Sequence, residues 1–199
     1  MYTRVVQFTG ATDIDAGAAF VRDTVNPQIR QQHGYRGMVA SADRDAAVFG
    51  VMSIWDSKAD VDASDSALAK VRDEGQRIIG GEMSIGVFEQ VLLEGKRPVE
   101  PGMSLLVRRV SMDPSKVGEN LEFFRSTVLP ELQASDGCVS VRQMINRETG
   151  DGIVGTLWET PAAMEAAAKT AEERRGRAAS QGVTFGEQTK REILFVDMA

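Results

Sequence analysis

Histidine and cysteine are nearly missing from this chain: 199 residues hold one of each, His33 and Cys138. A single cysteine excludes an intrachain disulfide. A single histidine excludes a His-based metal site and a Ser-His-Asp triad, and a Cys-His pair is excluded because His33 and Cys138 lie in different halves of the chain. No apolar run approaches the ~20 residues needed to span a bilayer. An excess of positive charge is also absent, with 23 Lys and Arg against 29 Asp and Glu, a net charge of -6 and a pI near 5.0. Nucleic acid and anionic membranes are therefore not expected partners, since both need a concentrated positive field. The start MYTRVVQFTG lacks the basic region and apolar run of a signal peptide, so a cytoplasmic location is expected. Neither a phosphate-binding glycine loop nor a dinucleotide fingerprint occurs. No metal and no cofactor are expected.

What is present is written twice. FVRDTVNPQIRQQHGYRGM (20–38) and FFRSTVLPELQASDGCVSV (123–141) follow one plan, pairing Phe20 with Phe123, Arg22 with Arg125, Thr24 with Thr127, Pro27 with Pro130 and Gly34 with Gly137, each 103 residues apart. The same shift carries Trp55 onto Trp158, the only two tryptophans. A repeat of about half the length implies two small units. Each alone buries a modest fraction of its surface and gains by packing an apolar face on the other.

Within a unit the elements follow from pattern. YTRVVQF (2–8) reads as a strand, and Thr12 or Asp13 is the N-cap of a helix whose apolar residues Val21, Val25 and Ile29, like Phe124, Val128 and Leu132, recur every fourth position. Pro27 and Pro130 sit inside these patterns and predict a kink. Gly34 and Gly137 stand where the stripes stop, at left-handed C-cap positions. Two strand-like runs joined by a short polar turn then predict a hairpin ending in each Trp. Ser57 or Thr160 caps a second helix, with Pro161 in its first turn. Glu165–Lys169 and Glu173–Arg177 are spaced as helical ion pairs, and Arg174, Arg175 and Arg177 read as a solvated helix end. VFEQVLL (87–93) and REILFV (191–196) close the units.

The order β-α-β-β-α-β, twice, predicts an α+β fold: two ferredoxin-like repeats, 1–95 and 103–199, joined by a linker at 96–102 and packed sheet to sheet as an intramolecular dimeric α/β barrel. A homodimer of the two-repeat chain is a further expected assembly.

A helix containing Pro, then GYRGM, then a strand ending in SIWDSKAD, with DGCVSV and TLWETPAAM in the same places of the second half, resembles the antibiotic-biosynthesis-monooxygenase type of dimeric α/β barrel. The resemblance implies a small-molecule barrel. It covers cofactor-independent oxygenases of aromatic polyketides and quinols, haem-degrading enzymes and members without assigned activity. The haem degraders use an Asn on the first strand and a Trp and a His on the second helix. Here the first-strand position is Gln7, or Val110 in the second half, both tryptophans precede the second helix, and the only histidine ends the first. Haem degradation is disfavoured.

Strand alternation groups Val51, Ser53 and Trp55, and likewise Val154, Thr156 and Trp158, on one face. Assigned to the barrel interior, with Met52, Ile54 and Leu157 toward the helices, these faces suit a flat aromatic ligand. Gln7, Arg108 and Arg109 on the first strands are candidate polar groups, an arginine holding an enolate or phenolate by charge-assisted hydrogen bonds. Alternatively, both tryptophans only fill the core. Two functions stand: a cofactor-independent monooxygenase of a quinol or polyketide-like substrate, and a non-catalytic ligand-binding or stress-related barrel. The absence of an evident base favours the second.

Overall fold

The computed structural model describes residues 1–198, the side chain of Glu173 excepted. The first half runs through strand β1 (Tyr2–Thr9), helices α1 (Ile14–Phe20) and α2 (Asn26–Ile29), the hairpin β2 (Tyr35–Asp43) and β3 (Val48–Trp55), helices α3 (Lys58–Ala63) and α4 (Asp65–Ile79), and strand β4 (Glu82–Gly95). The second half has the same order: β5 (Ser104–Ser111), α5 (Val117–Phe123), α6 (Leu129–Ala134), β6 (Cys138–Ile145), β7 (Asp151–Trp158), α7 (Pro161–Lys169), α8 (Ala171–Ser180) and β8 (Thr184–Met198). The strands hydrogen-bond in the order β1-β3-β2-β8-β5-β7-β6-β4, a closed barrel. The fold is α+β. Among the described residues no helix is long and apolar enough to cross a membrane.

Local chemistry accounts for the element ends. Asp13, Ser57 and Thr160 each accept the N–H three residues on, from Ala16, Asp60 and Ala163, so each cap satisfies an otherwise orphaned donor. Gly34 and Gly137 take φ of 75° and 73°, in the left-handed region that excludes most side chains. The kinks predicted at the prolines take a definite form. A π-helical turn, Val21–Val25 or Phe124–Val128, lies between the two helices of each pair, and the N–H of Asn26 or Leu129 bonds five residues back. Each turn ends two residues before a proline, where the ring would break an α-helical ladder by removing a donor and crowding the carbonyl four residues earlier.

The chain forms two compact units, and each last strand is divided between them. The first contains Met1–Glu89, Glu100–Gly102 and the part of β8 from Arg191; the second contains Gln90–Val99 and Met103–Lys190. In the first unit β2 pairs with that part of β8, from Gly37↔Met198 to Ala42↔Glu192. Its core joins Phe8, Phe49 and Trp55 from the sheet to Phe20, Val21, Ile29, Val61 and Leu68 from the helices. In the second unit Trp158 and Val141 meet Val128, Leu132, Met164 and Ala167.

The expected Glu165–Lys169 pair is not what forms: Lys190 Nζ takes Glu165 at 2.6 Å. Arg177 bonds Glu131 at 2.5 and 2.7 Å, while the Glu173 half of the other expected pair lies outside the described residues.

Two outcomes follow from this fold. A chain ending at Gly95 lacks the β8 segment that pairs with β2 and leaves that edge open. Size-exclusion chromatography with light scattering should show dimers or aggregates; a stable, ordered monomer would contradict the assignment. Cys138 is buried, and burial pushes its thiol up. The neutral thiol therefore contributes stability that is complete below the unfolded thiol's pKa and is lost as pH rises through the raised folded value. Iodoacetamide should alkylate Cys138 only in denaturant, and Cys138→Ala should flatten the alkaline loss of stability.

Candidate functional site

The second unit holds a cavity of about 130 Å³ between its sheet and its helices. The sheet contributes Leu106, Arg108 and Val110 from β5, Gln143 from β6, and Val154, Thr156 and Trp158 from β7. Opposite them stand Phe123, Phe124, Val128 and Leu132, with Arg174 and Arg175 from α8. The walls are mainly apolar, and no aspartate, glutamate or histidine is among the described lining residues.

The expected facing of the tryptophans is corrected here. Trp55 and Trp158 turn toward the helices, with Ser53 and Thr156 on the same face. The reason is hydrogen bonding: each indole N–H donates at 2.9 Å to the hydroxyl two residues earlier, Ser53 Oγ or Thr156 Oγ1. An indole satisfied from its own strand needs no water, so its whole apolar area can enter the helix-covered core. Both rings are buried; Trp158 is at once core and cavity wall.

Register separates the candidate polar residues. Tyr2 pairs with Trp55 and Ser104 with Trp158, so the first strands correspond at 102 residues although the tryptophans lie 103 apart. A slip of one residue exchanges the two faces of a strand. Arg109, not Val110, therefore matches Gln7, and Leu106 matches Arg4. Arg108 is on the cavity face, whereas its neighbour Arg109 is on the other and does not line the cavity. Gln7 is likewise on the face away from Trp55: it pairs with Gly50, and its Oε1 accepts from Arg191 Nη2 at 2.7 Å. Gly50 permits this contact, because a Cβ there would collide with the Arg191 guanidinium.

In the first unit Arg4, on the face of β1 that Trp55 shares, reaches the helices. Its guanidinium donates to Val61 O at 2.6 Å and Ser64 Oγ at 3.1 Å and meets Asp65 at 3.2 Å. Burial, then repulsion from Arg72, holds its pKa below the ordinary arginine value. Leu106 at the matching place in the second unit carries no such tether, and the cavity opens beside it. Sequence and register thus make the two units chemically different.

Arg108 donates to Gly186 O at 3.1 Å and to Gln188 Oε1. Burial, with repulsion from Arg175, lowers its pKa. Arg174 donates to Ala167 O at 3.1 Å. Two buried amide oxygens on the wall, Gln143 Oε1 and Asn120 Oδ1, have no hydrogen-bond partner among the described residues. Asn120 is oriented by its Nδ2, which donates to Lys116 O at 3.1 Å. An unpaired buried acceptor costs about 1–3 kcal/mol. Such a wall favours an apolar ring that brings negative charge and a donor.

Arg174, Arg175, Asn120 and Gln143 are absent from the candidates read from sequence, yet each left a signal. Arg174 completes a helical stripe with Ala167, Ala171 and Ala178, Asn120 stands four residues before Phe124 on an otherwise apolar stripe, and Gln143 interrupts the alternation of Val141 and Ile145. The reading of the arginine cluster as a solvated helix end is corrected for Arg174 and Arg175. His33 does not line this cavity; in the first unit its Nδ1 meets Asp60 Oδ1 at 2.7 Å.

The Trp158–Thr156 bond gives a direct test. Thr156→Val keeps the shape but orphans the indole donor, and should cost about 1–3 kcal/mol in chemical denaturation. Adding Trp158→Phe removes both partners, so the double variant should lose less than the sum of the singles; strict additivity would mean that the bond contributes nothing.

No protein-family profile matches the chain. The uncharacterised protein Rv2558 of Mycobacterium tuberculosis is 29% identical over 133 residues, 67% of this chain. The match spans only 56% of that relative's length. An anthrone oxidase-like protein of known structure superposes with a TM-score of 0.74 at 15% identity, over 100% of this chain and 93% of its own. A candidate monooxygenase of Fusobacterium nucleatum superposes at 0.72 with 14% identity, over 99% and 94%. With identities this low the likeness is one of fold. The eight-stranded closed barrel and these neighbours together give the chain the fold of the antibiotic-biosynthesis-monooxygenase-like dimeric α/β barrels.

Proposed function

We propose that the protein binds an electron-rich aromatic molecule in the cavity of its second unit and acts on it as a cofactor-independent monooxygenase. One observation carries the reading: an apolar cavity walled by Trp158 also carries Arg108, Arg174 and Arg175 and, among the described lining residues, no carboxylate. A partly buried guanidinium repelled by a like neighbour gains from an anion more than a solvated one does. A phenol or enol bound beside Arg108 is therefore held as its anion. Its ring lies against the apolar wall and Trp158.

Oxygen chemistry follows from that anion. For a methylene activated by an aromatic ketone, carbon loses two hydrogens and gains one oxygen, and the other oxygen atom leaves as water. The four electrons given up by carbon are those taken by dioxygen. With no carboxylate or imidazole on the described wall, ionisation depends on the arginine field stabilising the anion rather than on a general base. The anthrone oxidase-like neighbour supports a substrate of this kind.

The missing base also supports a second reading, passive binding of the same ligand. Oxygen uptake with an anthrone or quinol distinguishes them. Turnover is expected, with Arg108→Gln lowering kcat/KM by about tenfold or more and Arg109→Gln leaving it unchanged. Saturable quenching of tryptophan fluorescence without oxygen uptake would establish the passive reading, and neither binding nor uptake would end both.

A further inference from the structure

The dimensions and polar groups of this cavity narrow the ligand class. Its volume, about 130 Å³, is close to that of an engineered apolar cavity of roughly 150 Å³ that takes up benzene. That volume seats one ring, and the cavity is open to solvent on one side, so further fused rings can extend outward. In its walls Trp158, Thr156, Gln143 and Val128 are all buried. Such residues are held by close packing.

The polar groups define the substituents. Arg108 and Arg174 each spend donors on protein carbonyls. Arg175, on the same wall and half-buried, has neither a hydrogen bond nor an ion pair among the described residues. A planar carboxylate matches the guanidinium fork and supplies the negative charge that the described wall lacks. Gln143, 4% exposed, has a carbonyl oxygen without a partner. Only a donor satisfies it, and a ring hydroxyl is the donor compatible with a flat apolar slot.

We propose that the cavity selects an aromatic whose seated ring bears a carboxylate and a hydroxyl, with Arg175 and Arg108 receiving the carboxylate and Gln143 the hydroxyl. The inference rests on the reading that this cavity is a ligand site, and narrows it from aromatic anions in general to hydroxylated aromatic carboxylates.

Calorimetric titration of the full chain with salicylate, benzoate and phenol tests it. Salicylate should bind tightest, phenol about tenfold or more weaker for want of the carboxylate, and benzoate weaker for want of the hydroxyl. Arg175→Gln should weaken salicylate about tenfold, and Gln143→Leu should abolish the preference for salicylate over benzoate, with the thermal melt showing that each variant folds. If phenol or benzoate matches salicylate, the narrowing is wrong while an aromatic site stands. If no compound binds, the site reading falls with it.

Discussion

Each tryptophan spends its one polar atom on a hydroxyl two residues earlier in its own strand, and the core of both units depends on that bond. An indole is large enough to organise a small core, but its N–H must find an acceptor before the ring can leave water. Ser53 and Thr156 supply the acceptor from within the strand, so no helix residue is needed for it. The ring then forms the floor on which the helices pack, through Val21, Ile29 and Val61 in the first unit and Val128, Leu132 and Met164 in the second.

On that common floor the two units diverge through one position. Arg4 spans from β1 to the carbonyl of Val61 and the hydroxyl of Ser64, tying sheet to helices with a buried cation. Leu106 at the corresponding place ends in apolar contact, and beside it the arginines of α8 reach the wall of a cavity. The first unit has turned a polar side chain inward for structure. The second has kept its cationic groups at the edge of an open space.

The neighbours of known structure share this architecture with little sequence in common, at 14–15% identity. Similarity at that level is preserved by packing and hydrogen-bond constraints such as these, and the chemistry of a given chain is carried by the few polar residues admitted to its cavity. Here those residues are guanidiniums and amides, a set suited to binding and stabilising charge rather than to moving protons.

Much of this was legible in one dimension because its causes are local. The helix caps at Asp13, Ser57 and Thr160, the left-handed glycines 34 and 137, the disturbance of the helix before each proline and the order of elements all depend on residues within a few positions of one another. The pairing of Trp with the hydroxyl two residues back was visible as strand alternation. Which face met the helices was not, because alternation separates two faces without labelling them. The fate of Gln7, Arg108 and Arg109 was also undetermined: a gapless 103-residue repeat conceals the one-residue slip in the first strands, and only pairing against β3 and β7 sends Arg108 to the cavity and Arg109 away. Arg174, Arg175 and Gln143 meet Arg108 from α8 and β6, and that meeting is a product of tertiary packing between segments far apart in the chain. Sequence alone determined the elements and their ends, since backbone sterics and capping are short-range; the tertiary structure decided the site, since register and side-chain convergence are set by long-range pairing.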